Sequence, residues 1–213
     1  MEFSQLVKTV GEEPVFETGL LLAGNVNLYD VRRQLSRWTT ARRLYQLRRG
    51  LYALAPPFQK TRPHPFLVAN RMVSGSYVSC QSALAYYDLI PEHVPTTLSI
   101  TTARPARWDT PLGRYEFRHV KLEFFWGYRS VDLGSGQRAF VASPEKALLD
   151  LIYLQARGDS PEYLRELRLQ NLDLLNLDKL KGQVECAQSA KLRRAVAIVS
   201  GLAHAEAAEY TDL

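Results

Sequence analysis

Cysteine is scarce in this chain: Cys80 and Cys186 stand far apart in 213 residues and form no CxxC pair. Two isolated cysteines exclude a disulfide framework and a thiolate zinc site, so a reducing cytoplasm is the expected compartment. Long apolar runs are also lacking. The longest candidate, around Ala147 to Leu154, is far short of the ~18 residues a membrane helix needs. The first ten residues, MEFSQLVKTV, have neither a basic start nor an apolar stretch and do not read as a signal peptide. The motifs of several enzyme classes are missing as well. Gly134-Ser135-Gly136 has no Gly-Lys-Ser/Thr after it and reads as a hairpin turn, not a phosphate loop. No G-x-S-x-G elbow occurs. His64, His93, His119 and His204 are scattered, with no H-E-x-x-H pair and no neighbouring cysteine. His119 reads as a core or surface residue of a strand. Glu145, Lys146 and Asp150 share one helix, where capping and surface pairing account for them. No catalytic residue, metal ligand or cofactor is therefore assigned, and a non-enzymatic protein is expected.

Acid is missing from one place in particular. Between Asn27 and Lys60 there are eight Lys or Arg residues and one acid, Asp30, whereas Thr61 to Leu213 holds 18 basic and 17 acidic residues. The net charge of +5 and the pI of about 9.2 thus arise from a local excess. Local positive charge on a helix is an electrostatic footprint for nucleic acid. Arginine, the dominant cation here, offers a bidentate fork to phosphate or guanine.

The pattern along that stretch is structured. Residues 3–10 and roughly 14–23 read as two short helices, with Leu6 and Val10 on one face of the first and Phe16 and Leu20 on one face of the second. Asn27 suits the N-cap of a third helix. In it Leu28, Val31, Leu35 and Trp38 fall on one face, and Trp38 continues that apolar stripe as a core residue. Arg32, Arg33, Gln34, Ser36 and Arg37 fall opposite. Leu44–Leu47 and Leu51–Leu54 read as strands around Arg48-Arg49-Gly50, with Gly50 suited to a positive φ. Three helices and a hairpin predict an N-terminal winged helix-turn-helix over residues 1–60. The expected DNA-binding residues are Arg32, Arg33, Gln34, Arg37, Thr40, Arg42, Arg43, Arg48 and Arg49, facing the major groove and flanking phosphates of double-stranded DNA.

Pro56-Pro57 and Pro63-His64-Pro65 read as a linker. Residues 61–213 predict a mixed α/β domain with a helical C-terminus, so that the whole chain is α+β. Helices are expected at Pro65–Met72, Cys80–Leu89 and Glu145–Leu154, the last started by Ser143 as N-cap and Pro144 in the first turn. Strands are expected in TTLSITTAR (96–104), whose Thr and Ile content favours one, and near Tyr115–Val120, Phe124–Tyr128 and Arg138–Val141, with three helical segments near 161–169, 177–186 and 189–208.

Four segments carry a family resemblance. LSRWTTARRLYQLRRGLYAL, SALAYYDLIPE, PLGRYEFRHVKLEFFWGYR and SPEKALLDLIYL resemble the AbiEi-type antitoxins of bacterial type IV toxin–antitoxin systems, over roughly residues 14–155. Ala41 departs from the pattern, standing where such a sequence has Gly between recognition helix and wing. The resemblance implies a repressor that binds inverted repeats in its own promoter through the N-terminal domain. It also implies a C-terminal domain that counters a nucleotidyltransferase-like toxin without a stable complex. Two other readings share the residues: a regulator of unrelated genes with a ligand- or partner-sensing C-terminal domain, and an enzyme, such as a nuclease, tethered by the winged helix.

Overall fold

The computed structural model describes residues 1–22 and 27–211, and the fold is mixed α+β with two sheets. The chain opens with α1 (Phe3–Val10), which buries Leu6 and Val10. The helix expected over residues 14–23 is not formed in the described part, which ends at Leu22. Instead Phe16–Glu17 is a two-residue strand, β1, and Thr18–Leu21 is a 3-10 turn. Pro14 and Gly19 are poor helix residues, and Phe16 finds a better place opposite Tyr52 with the rings stacked at 5.9 Å.

The third predicted helix is α2 (Leu28–Thr40). Asn27 caps it as expected: its side-chain oxygen accepts from the Tyr29 N–H at 2.8 Å. Val31 and Leu35 are buried, Trp38 is half-buried, and Leu28 remains 38% exposed, so the apolar face narrows toward the helix start. The helix ends in a Schellman motif. The Arg43 N–H donates to the Trp38 carbonyl at 2.9 Å and the Arg42 N–H to the Thr39 carbonyl at 3.0 Å. The left-handed residue this requires is Arg42, with φ of 56°, and not Ala41. Strands β2 (Leu44–Arg48) and β3 (Leu51–Leu54) then form the expected hairpin, with Gly50 at φ +84°. The small sheet is antiparallel in the order β1-β3-β2.

That hairpin is buried on both faces. Leu44, Tyr52 and Leu54 join Leu6, Val10, Phe16, Val31 and Leu35 in one apolar cluster. Leu47, Leu51 and Ala53 point the other way, into a larger cluster with Val68, Met72, Tyr77 and Ile100. The period of two along a strand produces this division.

The larger cluster belongs to a six-stranded sheet. It is built from α3 (Pro65–Met72), β4 (Ser76–Val78), α4 (Cys80–Tyr86), β5 (Thr96–Thr101), β6 (Ala106–Thr110), β7 (Gly113–His119), β8 (Tyr128–Asp132), β9 (Arg138–Ala142) and α5 (Pro144–Leu154). The strand order is β6-β7-β5-β4-β9-β8; β4 runs parallel to β9 and β5 to β7, and the other pairs are antiparallel. Helices α6 (Pro161–Glu166), α7 (Leu177–Ala187) and α8 (Ala190–Thr211) follow, one in each of the three expected segments. Helix α4 stops short of the expected Leu89, because Asp88 turns left-handed and the Leu89 N–H closes back on the Leu84 carbonyl at 2.9 Å. The strand expected at Phe124–Tyr128 begins only at Tyr128; Leu122–Phe124 is a 3-10 turn. Phe124 and Trp126 do not alternate in and out but close around one cation.

That cation is Lys146, and it corrects the expectation of surface pairing. Lys146 and Asp150 are each 0% exposed and Glu145 is 4% exposed. The Lys146 Nζ donates to Asp150 Oδ1 at 2.6 Å and to the Phe124 carbonyl at 2.8 Å. It also lies 3.6 Å from the Phe124 ring centroid and 4.3 Å from that of Trp126. Asp150 Oδ2 accepts from the Ser79 hydroxyl at 2.7 Å and the Tyr77 hydroxyl at 3.0 Å. Gly127 makes room: a Cβ there would stand 2.9 Å from the Lys146 Cγ. Burial lowers the Lys146 pKa and raises that of Asp150, and each partner opposes the shift of the other. Glu145 is held by the Lys179 ammonium at 2.7 Å and the Ser143 hydroxyl at 2.7 Å.

Removing one member of a buried pair strands the other's charge, at a cost of about 3–5 kcal/mol. Lys146→Met is expected to destabilise by that amount in chemical denaturation. Lys146→Met with Asp150→Leu is expected to recover part of the loss; an additive double variant would show that the two charges do not support each other.

Candidate nucleic-acid interface

Helix α2 offers one continuous exposed face. At 3.6 residues per turn, Tyr29, Arg33, Ser36 and Thr40 fall within about 60° of arc, with Arg32 and Arg37 flanking them. All six are exposed, opposite the buried Val31 and Leu35. Arg33 pairs with Asp30 at 3.5 Å, and both side chains remain more than half exposed. Such a surface pair is weak, so it orients Arg33 without holding it. Arg32 lies near Tyr52, whose hydroxyl pKa is raised by burial and lowered in part by that guanidinium. The Thr40 hydroxyl donates to the Ser36 carbonyl at 3.1 Å.

Gln34, Arg37 and Arg43 turn to one side. With Phe3, Lys8, Trp38 and Phe58 they line an open cavity of about 770 Å³ between α1 and the end of α2. The Arg43 guanidinium sits 5.1 Å from the Phe3 ring centroid, which fixes the direction of its charge. Arg42 is exposed on the helix-terminating turn.

The two arginines at the hairpin tip have different surroundings. Arg49 is exposed. Arg48 is folded back: its side chain is 29% exposed, with Nη1 donating to the Arg49 carbonyl at 3.0 Å and Nη2 to the Arg71 carbonyl at 3.3 Å. Its Nη2 also lies 3.8 Å from a Glu17 carboxylate oxygen. Arg48 is therefore a brace from the hairpin to the end of α3, not a free tip residue.

Two features are not evident from the sequence. One is Tyr29, which is 74% exposed in the first turn of α2. The other is a basic patch beside the hairpin tip. The brace ends on Arg71, and nearby the start of β4 meets the ends of β5 and β7: Thr101 Oγ1 donates to the Gly75 carbonyl at 3.4 Å and accepts from the Ala103 N–H at 3.1 Å, and His119 Nδ1 stands 3.1 Å from the Ala103 carbonyl. Arg71, Arg104, His119 and Lys121 are exposed there, and residues 70–76, 101–108 and 118–122 contain no acid. Balanced charge over residues 61–213 concealed this patch, because its members come from three separate segments. Among the described residues no group of three or more His, Cys, Asp and Glu side chains converges as a metal cluster would, and no helix is long and apolar enough to cross a membrane.

No protein-family model matches the chain, and no curated protein matches it. Function is therefore read from the geometry of α2 and the hairpin, and from the segments that carry the resemblance.

Two expectations follow from the arginine placements. Arg48→Ala is expected to lose about 1–2 kcal/mol through its charged hydrogen bonds, while Arg49→Ala leaves the denaturation midpoint unchanged. Arg42→Gly is expected to stabilise by about 1 kcal/mol, since glycine adopts the left-handed conformation without a Cβ clash. A destabilised Arg42→Gly would show that the Arg42 side chain has a packing role.

Proposed function

We propose that this chain is a DNA-binding transcriptional repressor that acts as the antitoxin of a type IV toxin–antitoxin system. In this reading residues 1–60 are a winged helix-turn-helix, α2 is the recognition helix and the β2–β3 hairpin is the wing. Residues 61–213 are the antitoxin domain. The observation that carries the DNA-binding part is the exposed face of α2: Arg32, Arg33 and Arg37 lie on it with one acid, opposite a buried stripe. The element order supports the winged-helix assignment: helix, short strand, turn, helix, hairpin, with the short strand beside β3. Arg49 with Arg71, Arg104 and Lys121 would continue the charge from the wing onto the second sheet, where phosphates flanking the recognition site would lie.

The antitoxin part rests on the resemblance of the four segments, and the partner would be a nucleotidyltransferase-like toxin countered without a stable complex. The protein would work in the cytoplasm, on its own promoter, without catalysis. A second reading, a regulator with a ligand-sensing C-terminal domain, draws support from a cavity of about 630 Å³ lined by His64, Phe66, Tyr86, Asp88, Glu92 and His93. A neighbouring toxin gene would favour the first reading.

The test is a mobility shift of the full-length protein on the DNA upstream of its own reading frame. Wild type is expected to prefer that duplex over random DNA. Alanine at Arg33 and Arg37 together is expected to remove the preference, with the circular dichroism spectrum unchanged. The expected cost is about 1–3 kcal/mol for each base-specific arginine removed. Alanine at Arg49, Arg71, Arg104 and Lys121 is expected to weaken operator and random DNA alike. It should also flatten the slope of log affinity against log salt by roughly 0.9 for each phosphate left without its cation. A wild-type protein that does not shift its upstream DNA would overturn the reading.

A further inference from the structure

Tyr29 is the most exposed large apolar side chain on α2, at 74%, and it has no aromatic partner among the described residues. Its backbone is held firmly, because its N–H is the group that the Asn27 cap binds at 2.8 Å. The Cα–Cβ bonds of a helix tilt toward its N-terminus, which directs the Tyr29 side chain toward the leading end of α2. It shares its face with Arg33, Ser36 and Thr40, all exposed. Leu28, the first residue of α2, is also partly open, at 38% exposure. A ring at that position cannot serve the core, which lies on the opposite side with Val31 and Leu35.

We propose that Tyr29 is a specificity-determining residue: its ring packs on the C5-methyl group of a thymine in the major groove and fixes an A·T pair at one position of the bound site. This rests on the reading of α2 as the helix that enters DNA. Three physical reasons favour it. The N-terminal residues of a recognition helix are the ones that reach base edges. The thymine methyl is the apolar group that the major groove displays, and it suits an aromatic ring. The phenol hydroxyl could donate to a phosphate, but Arg32 beside it already offers a cation there, and Tyr29→Phe separates such a contact from packing of the ring.

The experiment uses the full-length protein with a library of randomised duplexes, enriched by binding and sequenced, for wild type, Tyr29→Ala and Tyr29→Phe. Wild type and Tyr29→Phe are expected to select thymine at one position where Tyr29→Ala accepts any base. In a duplex of the selected sequence, replacing that thymine by uracil removes only the methyl group. The expected loss is about three- to fivefold in affinity for wild type and Tyr29→Phe, the scale of one buried methyl, and none for Tyr29→Ala. An unchanged consensus for Tyr29→Ala, or an equal uracil effect in all three proteins, overturns the role of Tyr29 while the DNA-binding reading stands. A wild type that enriches no sequence overturns that reading and the inference with it. Equal melting temperatures of the three proteins are expected, since the side chain is exposed; a drop for Tyr29→Ala alone, with its consensus intact, assigns Tyr29 to structure and overturns the proposal.

Discussion

The Lys146–Asp150 ion pair holds the larger half of the molecule in register. Both groups lie on α5, one turn apart, and both are removed from water. Neither could be buried alone, so each demands the other and the remaining donors and acceptors around them. Those come from elsewhere: Tyr77 and Ser79 at β4, and the Phe124 carbonyl with its ring ahead of β8. The pair thus ties α5 to the centre of the sheet and to its far edge at once. The hairpin tip is braced against Arg71 at the end of α3, the helix leading into β4, so the surroundings of the β2–β3 hairpin depend on a sheet anchored by charge as well as by apolar burial.

Parts of this were legible in the residues because the causes are local. Asn27 announces a helix start through its own side chain, and Gly50 marks a turn through its missing Cβ. Ser143-Pro144-Glu145 does the same for α5, whose Ser143 hydroxyl accepts from the Lys146 N–H at 3.3 Å. What escaped depends on partners remote in sequence. Two residues make a strand at Phe16–Glu17 only because Leu51 and Tyr52 stand beside them. Strand β6, with Arg107 and Asp109 turned outward and paired with the β7 hairpin, shows no marked apolar alternation of its own. A lysine and an aspartate four residues apart read as a surface pair in any helix, and only Phe124, Trp126 and Tyr77 reveal that this helix is sunk in the core. The expected binding residues fared similarly. Arginines on the open face of α2 follow from helical spacing, whereas the inward fold of Arg48 needed Arg71, 23 residues away.

The proposed interface divides its tasks by chemistry. The face of α2 combines forked cations with a ring and small hydroxyls, a mixture able to distinguish one base pair from another. The patch of Arg49, Arg71, Arg104 and Lys121 is uniform positive charge on separate supports, suited to a uniformly charged backbone. The two lie on different elements, so binding strength and sequence choice can change independently.

The doubly buried hairpin has a consequence for how the chain is made. During synthesis the first sixty residues emerge with α1, α2 and one face of the hairpin ready to pack, but Leu47, Leu51 and Ala53 have no cover until the strands and helices of the larger half arrive. Domains generally fold as units with the N-terminal one first; here the N-terminal part must wait, half finished, with these side chains and Val15, a member of the same larger cluster, open to water. On the proposed reading, its capacity to hold DNA in a fixed geometry matures only when the rest of the polypeptide has left the ribosome, which keeps incomplete chains from occupying the target of the finished protein.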